Sequence, residues 1–235
     1  MGKLRLLGFL MYFCGIKKPE LFDKIPEIKT MKIEIQPQES KRAEAFSLWM
    51  TSPMPMVTLV KTMNIGNLLK FSRKSSMKLT MLMCWCIGKA ASKMEEFFVL
   101  PEKGKLFRYD RIAINVIVTN RNGGINSCDI PFSDDLKRFN QDYLELTSKA
   151  ANDCESSFLE DHMVVGTSAM PQTELDCIVN QYTDLFCNPM VMWGKYRKTL
   201  LKTTLPVSFQ FHHVQMDGGH GARFLDELQK TINAL

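Results

Sequence analysis

Near the C-terminus, Leu205-Pro206-Val207-Ser208-Phe209-Gln210-Phe211 alternates apolar with polar residues, the period-two pattern of a half-buried strand. Phe224, Leu225, Leu228, Ile232 and Leu235 then recur at helical spacing with charged residues between them, which predicts an amphipathic helix closing the chain. The same reading upstream gives a helix over 41–50, capped by Ser40, with Ala43, Phe46 and Trp49 or Met50 on one face and Pro53 and Pro55 beyond it. A strand over 56–63 and a short helix over 64–75 come next. Residues 79–98 predict the most hydrophobic helix, and its run 81–87 is apolar all round, as in a helix buried on most faces. From 105 to 131 the pattern turns to strands, broken by a turn cluster at 120–124. Ser133-Asp134-Asp135 puts negative charge at the start of a long helix whose Leu136, Phe139, Tyr143 and Leu146 share a face. Three more strands are predicted near 163–170, 191–197 and 203–211. Five or six strands thus mix with four or five helices without strict βαβ alternation. That pattern predicts an α/β sandwich with a mixed β-sheet in preference to a doubly wound parallel one.

Composition changes this picture little. A chain of 235 residues can bury one large core. The net charge of +5 divides unevenly, because residues 1–30 hold six basic groups against three acidic ones and leave the remainder at +2. Neither a basic stripe nor interleaved aromatics is present, so no nucleic-acid partner is expected. The seven cysteines are odd in number and lack C-x-x-C spacing, and Cys84 and Cys86 sit in the apolar helical run as small core residues. A reducing cytoplasm suits them better than a disulfide framework. Lys3 and Arg5 precede an apolar stretch over 6–16 with the outline of a short signal sequence, but no small-x-small site comes after it and Lys17-Lys18-Pro19 interrupts it. The stretch is also too short to span a bilayer, and Lys89 and Lys93 exclude the helix over 79–98 as a span. The expectation is a cytoplasmic protein without a membrane partner. Residues 1–30 are then an upstream extension or a loosely docked segment, and 31–235 a single domain.

Chemistry concentrates in His212-His213-Val214-Gln215-Met216-Asp217-Gly218-Gly219-His220, between the last predicted strand and helix. Three readings of it stand side by side. His213, Asp217 and His220 have a spacing that could bind a divalent metal, as in a metal-dependent hydrolase. One histidine could instead be a general base for a substrate hydroxyl. Paired histidines at a strand end can also be purely structural.

The full pattern H-H-x-x-x-D-G between strand and helix resembles the chloramphenicol acetyltransferase family, within the coenzyme A-dependent acyltransferases that share H-x-x-x-D-G. The segment 205–213 resembles that family's final strand, and Asp217-Gly218, His220, Ala222-Arg223-Phe224 and Leu228-Gln229 resemble the family's residues beyond that strand. Ser168-Ala169-Met170-Pro171 is similar to its S-x-x-P segment, and Arg42, Glu44 and Phe46 to its R-x-E-x-F helix. The resemblance runs from about residue 36 to the end. It implies a two-layer α/β sandwich of the coenzyme A-dependent acyltransferase type, so that 31–235 is an acyltransferase domain. It also implies acetyl-coenzyme A as the acyl donor, a small-molecule hydroxyl acceptor, no metal, and a homotrimer with active sites between subunits.

By that resemblance His213 is the general base and Ser168 donates a hydrogen bond to the oxyanion of the tetrahedral intermediate. Asp217 is a brace paired with Arg42, Gly218 permits the turn before the helix, and His220 has no catalytic duty. Trp49 and Ser168 are expected from the neighbouring subunit. Departures from the family pattern fall in the acceptor pocket. Gln172 stands where tryptophan is common, Met192 where a threonine supports the oxyanion region, and Ile178 and Asn180 replace aromatic and leucine positions. Trp49 replaces a tyrosine and Val57 a phenylalanine. The acyl-transfer residues are therefore expected intact and the acceptor pocket rebuilt. A relative without turnover that binds coenzyme A or a small ligand is the competing expectation.

Overall fold

The structure, a computed structural model, describes residues 32–183 and 186–235. The reading of residues 1–30 as an extension lies outside them. In chain order the elements are β1 (Lys32–Ile35), α1 (Ala43–Trp49), β2 (Met56–Asn64), α2 (Gly66–Ser75), α3 (Leu79–Ala91), β3 (Val99–Glu102), β4 (Lys105–Tyr109), β5 (Ile112–Thr119), β6 (Ile125–Pro131), α4 (Leu136–Asp153), β7 (Met163–Ala169), β8 (Met190–Trp193), β9 (Arg197–Lys198), β10 (Thr203–His212) and α5 (Gly218–Asn233). The larger sheet has the order β2-β10-β8-β7-β5-β6, with β9 also pairing to β10. The β5–β7 and β7–β8 pairs are parallel and the others antiparallel, so the sheet is mixed, as expected. A small antiparallel sheet, β1-β4-β3, stands beside it.

Strand alternation explains the layering. Leu205, Val207, Phe209 and Phe211 of β10 take the helix side, where the Phe209 ring lies 4.4 Å from that of Phe224 in α5 and 6.0 Å from that of Phe97. The run Met81–Gly88 of α3 is buried throughout, which accounts for its lack of a polar stripe. The other face of β10 carries Ser208, Gln210 and His212. These are buried too, which corrects the half-buried strand expected from the alternation. The segment after β7 lies over them: Ile178 N–H donates to Ser208 Oγ (2.9 Å), and Gln210 Nε2 donates to Asn180 O (3.1 Å) and Thr58 Oγ1 (3.2 Å). Polar residues therefore sit inside because each finds a partner there.

Two further expectations change. The helix predicted over 79–98 stops at Ala91, where the bonds Lys93 N–H to Ala90 O and Met94 N–H to Ala91 O tighten the backbone; a 3₁₀ turn at Glu95–Phe98 then aims Phe97 into the core. Among the described residues there are ten strands where five or six are expected, the expected run over 105–131 dividing into β4, β5 and β6. Three that no pattern announces, β1, β3 and β9, have four, four and two residues, too few for a periodic pattern. Gly221 fixes the height of α5 above the sheet, since a Cβ there would lie 2.6 Å from Phe211 Cε1 and 2.8 Å from Leu59 Cδ1. That close approach sets where the helix N-terminus, and hence Asp217, can stand.

Candidate active site

The segment leaving β10 is held at several points. His213 N–H donates to Pro55 O (2.7 Å), while Gln215 N–H and Met216 N–H both return to His212 O (2.9 and 3.1 Å). Gln215 Nε2 donates to Val99 O (2.9 Å), so the small sheet props the turn from the side. Arg42, immediately before α1, makes the densest set of contacts. Its guanidinium donates to both oxygens of Asp217 (2.6 and 2.8 Å) and to the carbonyls of His213 and Val214 (both 2.8 Å). One planar fork thus ties the carboxylate to the backbone on either side of the imidazole. These hydrogen bonds hold the Asp217 carboxyl below the usual carboxylate range.

The His213 ring stacks on Trp49 of the same chain, with centroids 4.5 Å apart and planes 5° from parallel. Trp49, expected from a neighbouring subunit, is placed by α1 beside His213 within the same chain. Nδ1 of His213 is buried without a hydrogen bond. Asp217 Oδ1 lies 3.3 Å from it, near enough for an electrostatic contact but without hydrogen-bond geometry. Nε2, which has no hydrogen-bond partner among the described residues, is the nitrogen left open.

His220 does more than the sequence pattern gives it. Its Nδ1 accepts the Asp217 N–H (3.0 Å) and its Nε2 lies 3.1 Å from Glu96 Oε1, so it caps the first turn of α5 and links it to the turn after α3. The signal available in the sequence is the Asp-x-x-His spacing at a helix start, a variant of the capping box. Nothing local marks Glu96. These commitments also count against the metal reading, since both Asp217 oxygens accept from Arg42 and the His220 Nδ1 lone pair accepts a backbone proton. Gly218 opens α5, and a Cβ there would meet nothing within 4 Å.

His212 is buried and its Nδ1 accepts the Val214 N–H (3.1 Å), which requires the neutral ring. Burial, with the neighbouring His213 second, lowers its pKa from 6.5 to about 4. Between those values the unfolded chain binds a proton that the folded chain refuses, so stability falls as pH drops through this window. The expected loss from pH 6.5 to 4 is about 3 kcal/mol, at about 1.4 kcal/mol per pKa unit. Denaturant unfolding across this range should show that slope in the wild type and a flatter one in His212→Gln; equal slopes would refute it.

The remaining residues gather elsewhere. Ser168 on β7 is paired with Met192 on β8, which is paired with Ser208 on β10. Ser168, Met192, Ile178 and Asn180 thus share the polar face, where Asn180 Nδ2 also approaches Met190 Sδ (3.2 Å). From Ser168, His213 is two strands across and five residues along, about 19 Å away within one chain. Val57 packs against the hydrophobic core opposite Phe211, and Gln172 is exposed on the turn after β7, so neither joins either group. Gln210, which anchors the overlying segment to the sheet, is absent from the residues expected at the site; a glutamine within an apolar strand is the one sign of it.

A braced imidazole with one open nitrogen, at the end of a strand in a mixed sheet, is an arrangement for proton transfer. A profile of chloramphenicol acetyltransferases matches residues 30–229. The chain belongs to the chloramphenicol acetyltransferase family. As a member it is an acyltransferase with the coenzyme A-dependent acyltransferase fold. It is 26% identical over 185 residues to chloramphenicol acetyltransferase 3 of Escherichia coli, covering 75% of this chain and 85% of that protein. It is 29% identical over 170 residues to a chloramphenicol acetyltransferase of Clostridium perfringens, covering 69% and 81%. Among solved structures, a chloramphenicol acetyltransferase superposes with a TM-score of 0.75 at 18% identity, over 86% of this chain and all of that one. A probable dihydrolipoamide acetyltransferase of Listeria monocytogenes superposes with a TM-score of 0.62 at 12% identity, over 94% and 96%. Among the described residues of this acetyltransferase-family chain, no helix is long and apolar enough to cross a membrane.

Proposed function

We propose that this protein moves an acetyl group from acetyl-coenzyme A to a hydroxyl of a small molecule, chloramphenicol or a related acceptor, and that residues 31–235 act as a single domain. His213 Nε2 takes the proton of the acceptor hydroxyl as its oxygen attacks the thioester carbon. The carbonyl oxygen becomes negative, and Ser168 Oγ–H donates to it. Collapse of the intermediate expels the coenzyme A thiolate, which recovers the proton from the imidazolium. Arg42 and Asp217 keep the ring aimed and never touch substrate. The observation that carries this reading is the His213 ring itself, stacked on Trp49, with Nδ1 buried and Nε2 open.

The separation of about 19 Å between Ser168 and His213 supports assembly of each site from two copies, because an oxyanion donor must lie within about 3 Å of the reacting oxygen. A homotrimer supplies three such sites. The test mixes two inactive variants, His213→Ala and Ser168→Ala, and lets subunits exchange. About a quarter of the interfaces in an equal mixture then join an intact His213 to an intact Ser168, and thiol release should recover to about that fraction. Recovery of nothing above the separate variants would overturn a shared site.

Met192 favours a second reading, a relative that binds coenzyme A or a small ligand without turnover. Its buried thioether side chain stands between Ser168 and Ser208 and cannot hold water as a hydroxyl would. Thiol release against a panel of alcohols, chloramphenicol included, separates the two. Measurable coenzyme A binding with no release from any acceptor would decide for the silent binder.

A further inference from the structure

At the opposite end of β10 from His213, β9 and β10 form a hairpin whose four-residue turn is Thr199-Leu200-Leu201-Lys202. The turn is well formed. Thr199 N–H donates to Lys202 O (2.8 Å), and Lys202 N–H donates to Thr199 Oγ1 (3.1 Å). Its arm is pinned as well, since Arg197 pairs with Asp176 (2.6 Å) and lies 3.6 Å from Glu174. The two central positions of such a turn ordinarily carry glycine, asparagine, aspartate or serine. Here they carry leucines that are 99% and 89% exposed. A single exposed leucine needs no explanation, but two adjacent ones at the tip of a pinned projection place apolar surface where folding gains nothing from it.

The charge around the tip indicates what covers it. Lys198 and Lys202 flank the leucines, are exposed, and have no ion-pair partner among the described residues. The same end of the sheet starts α2, since Ile65 N–H donates to Thr203 O (2.9 Å), and α2 carries exposed Lys70, Arg73 and Lys74, likewise without ion-pair partners there. The nearby carboxylates of Glu174 and Asp176 are engaged by Arg197. A second copy seated tip to tip would bring Lys198 and Lys202 of both copies together, a like-charge contact that is unfavourable.

We propose that this hairpin is a docking element for an anionic lipid bilayer: Leu200 and Leu201 enter the headgroup boundary while Lys198 and Lys202 meet acidic headgroups. This is the chemistry of peripheral anchoring, apolar insertion plus electrostatic attraction, and it needs no spanning helix. It leaves no long apolar run in the sequence, and the expectation of no membrane partner rests on the absence of such runs. β10 is about 30 Å long, so docking at one end leaves the His213 end clear of the surface.

The test is cosedimentation of the full chain with vesicles of phosphatidylcholine alone, or mixed with phosphatidylglycerol, at low and high salt. The wild type should pellet with the mixed vesicles and not the neutral ones, and added salt should release it. Lys198→Glu with Lys202→Glu should weaken partitioning by at least roughly 25-fold, taking about fivefold per lysine. Leu200→Ser with Leu201→Ser should abolish it. Cooperative unfolding unchanged in both variants would show that the fold is intact. Failure of the wild type to bind the anionic vesicles, or equal binding by the variants, overturns the proposal. So does a larger lipid-free species that Leu200→Ser with Leu201→Ser disperses, which would give the tip to a second copy.

Discussion

Replacing His213 with alanine is expected to lower the acetyl-transfer rate by roughly 10²–10⁴-fold, the range for loss of a positioned general base. Among the described residues at this end of β10, the His213 imidazole has the open nitrogen, and the adjacent His212 is buried with its Nδ1 accepting from Val214 N–H. Arg42 is charged, Asp217 is held ionised by it, and His220 is committed to the α5 cap and Glu96. Folding should survive, because His213 contributes its backbone N–H to Pro55 whatever its side chain. Thiol release at saturating acetyl-coenzyme A and acceptor measures the effect, and a wild-type rate in the variant would end the assignment.

The second large effect is expected at Arg42. Alanine there removes four hydrogen bonds at once and leaves two carbonyls and a carboxylate without their donor. Arg42 is mostly buried, but Asp217 is 47% exposed, so solvent recovers part of the carboxylate's share. The expected destabilisation is about 3 kcal/mol. Activity should fall by about 100-fold in kcat, because the imidazole is no longer aimed. Lysine should rescue little, since a single ammonium cannot span the carboxylate and two carbonyls. The pH dependence distinguishes this brace from generic packing. Asp217 has its carboxyl pKa held below 3.8, so its pairing stabilises the fold above that value and is lost as pH falls further. The stability gap between wild type and Arg42→Ala should therefore narrow below about pH 4. A constant gap across that range, or full kcat in the alanine variant, would contradict the role.

What the sequence discloses depends on how local its cause is. The H-H-x-x-x-D-G pattern is contiguous, so the imidazole and the carboxylate beside it are legible; Arg42 is found only because its own R-x-E-x-F pattern is also local. Long periodic elements such as α3, α4 and α5 are readable for the same reason. β1 and β3 are not, because each is a strand by virtue of β4 and has too few residues to show a period. The burial of Ser208 and Gln210 is equally hidden, since it is created by a segment 30 residues away in the chain. The side of the site on which Trp49 stands is a fact of how α1 meets the end of β10, and no residue pattern encodes it.

The bonds between β10 and the segment above it go to backbone atoms: Ser208 Oγ receives the N–H of Ile178, and Gln210 gives its amide proton to the carbonyl of Asn180. Backbone atoms are the same whatever the side chain. The segment can therefore exchange the side chains at 178 and 180 while keeping its seat on the strand that aims His213. On the proposed reading, selectivity for the acceptor can drift there without disturbing the His213 end, so that the preferred alcohol changes while the strand and its turn stay as they are.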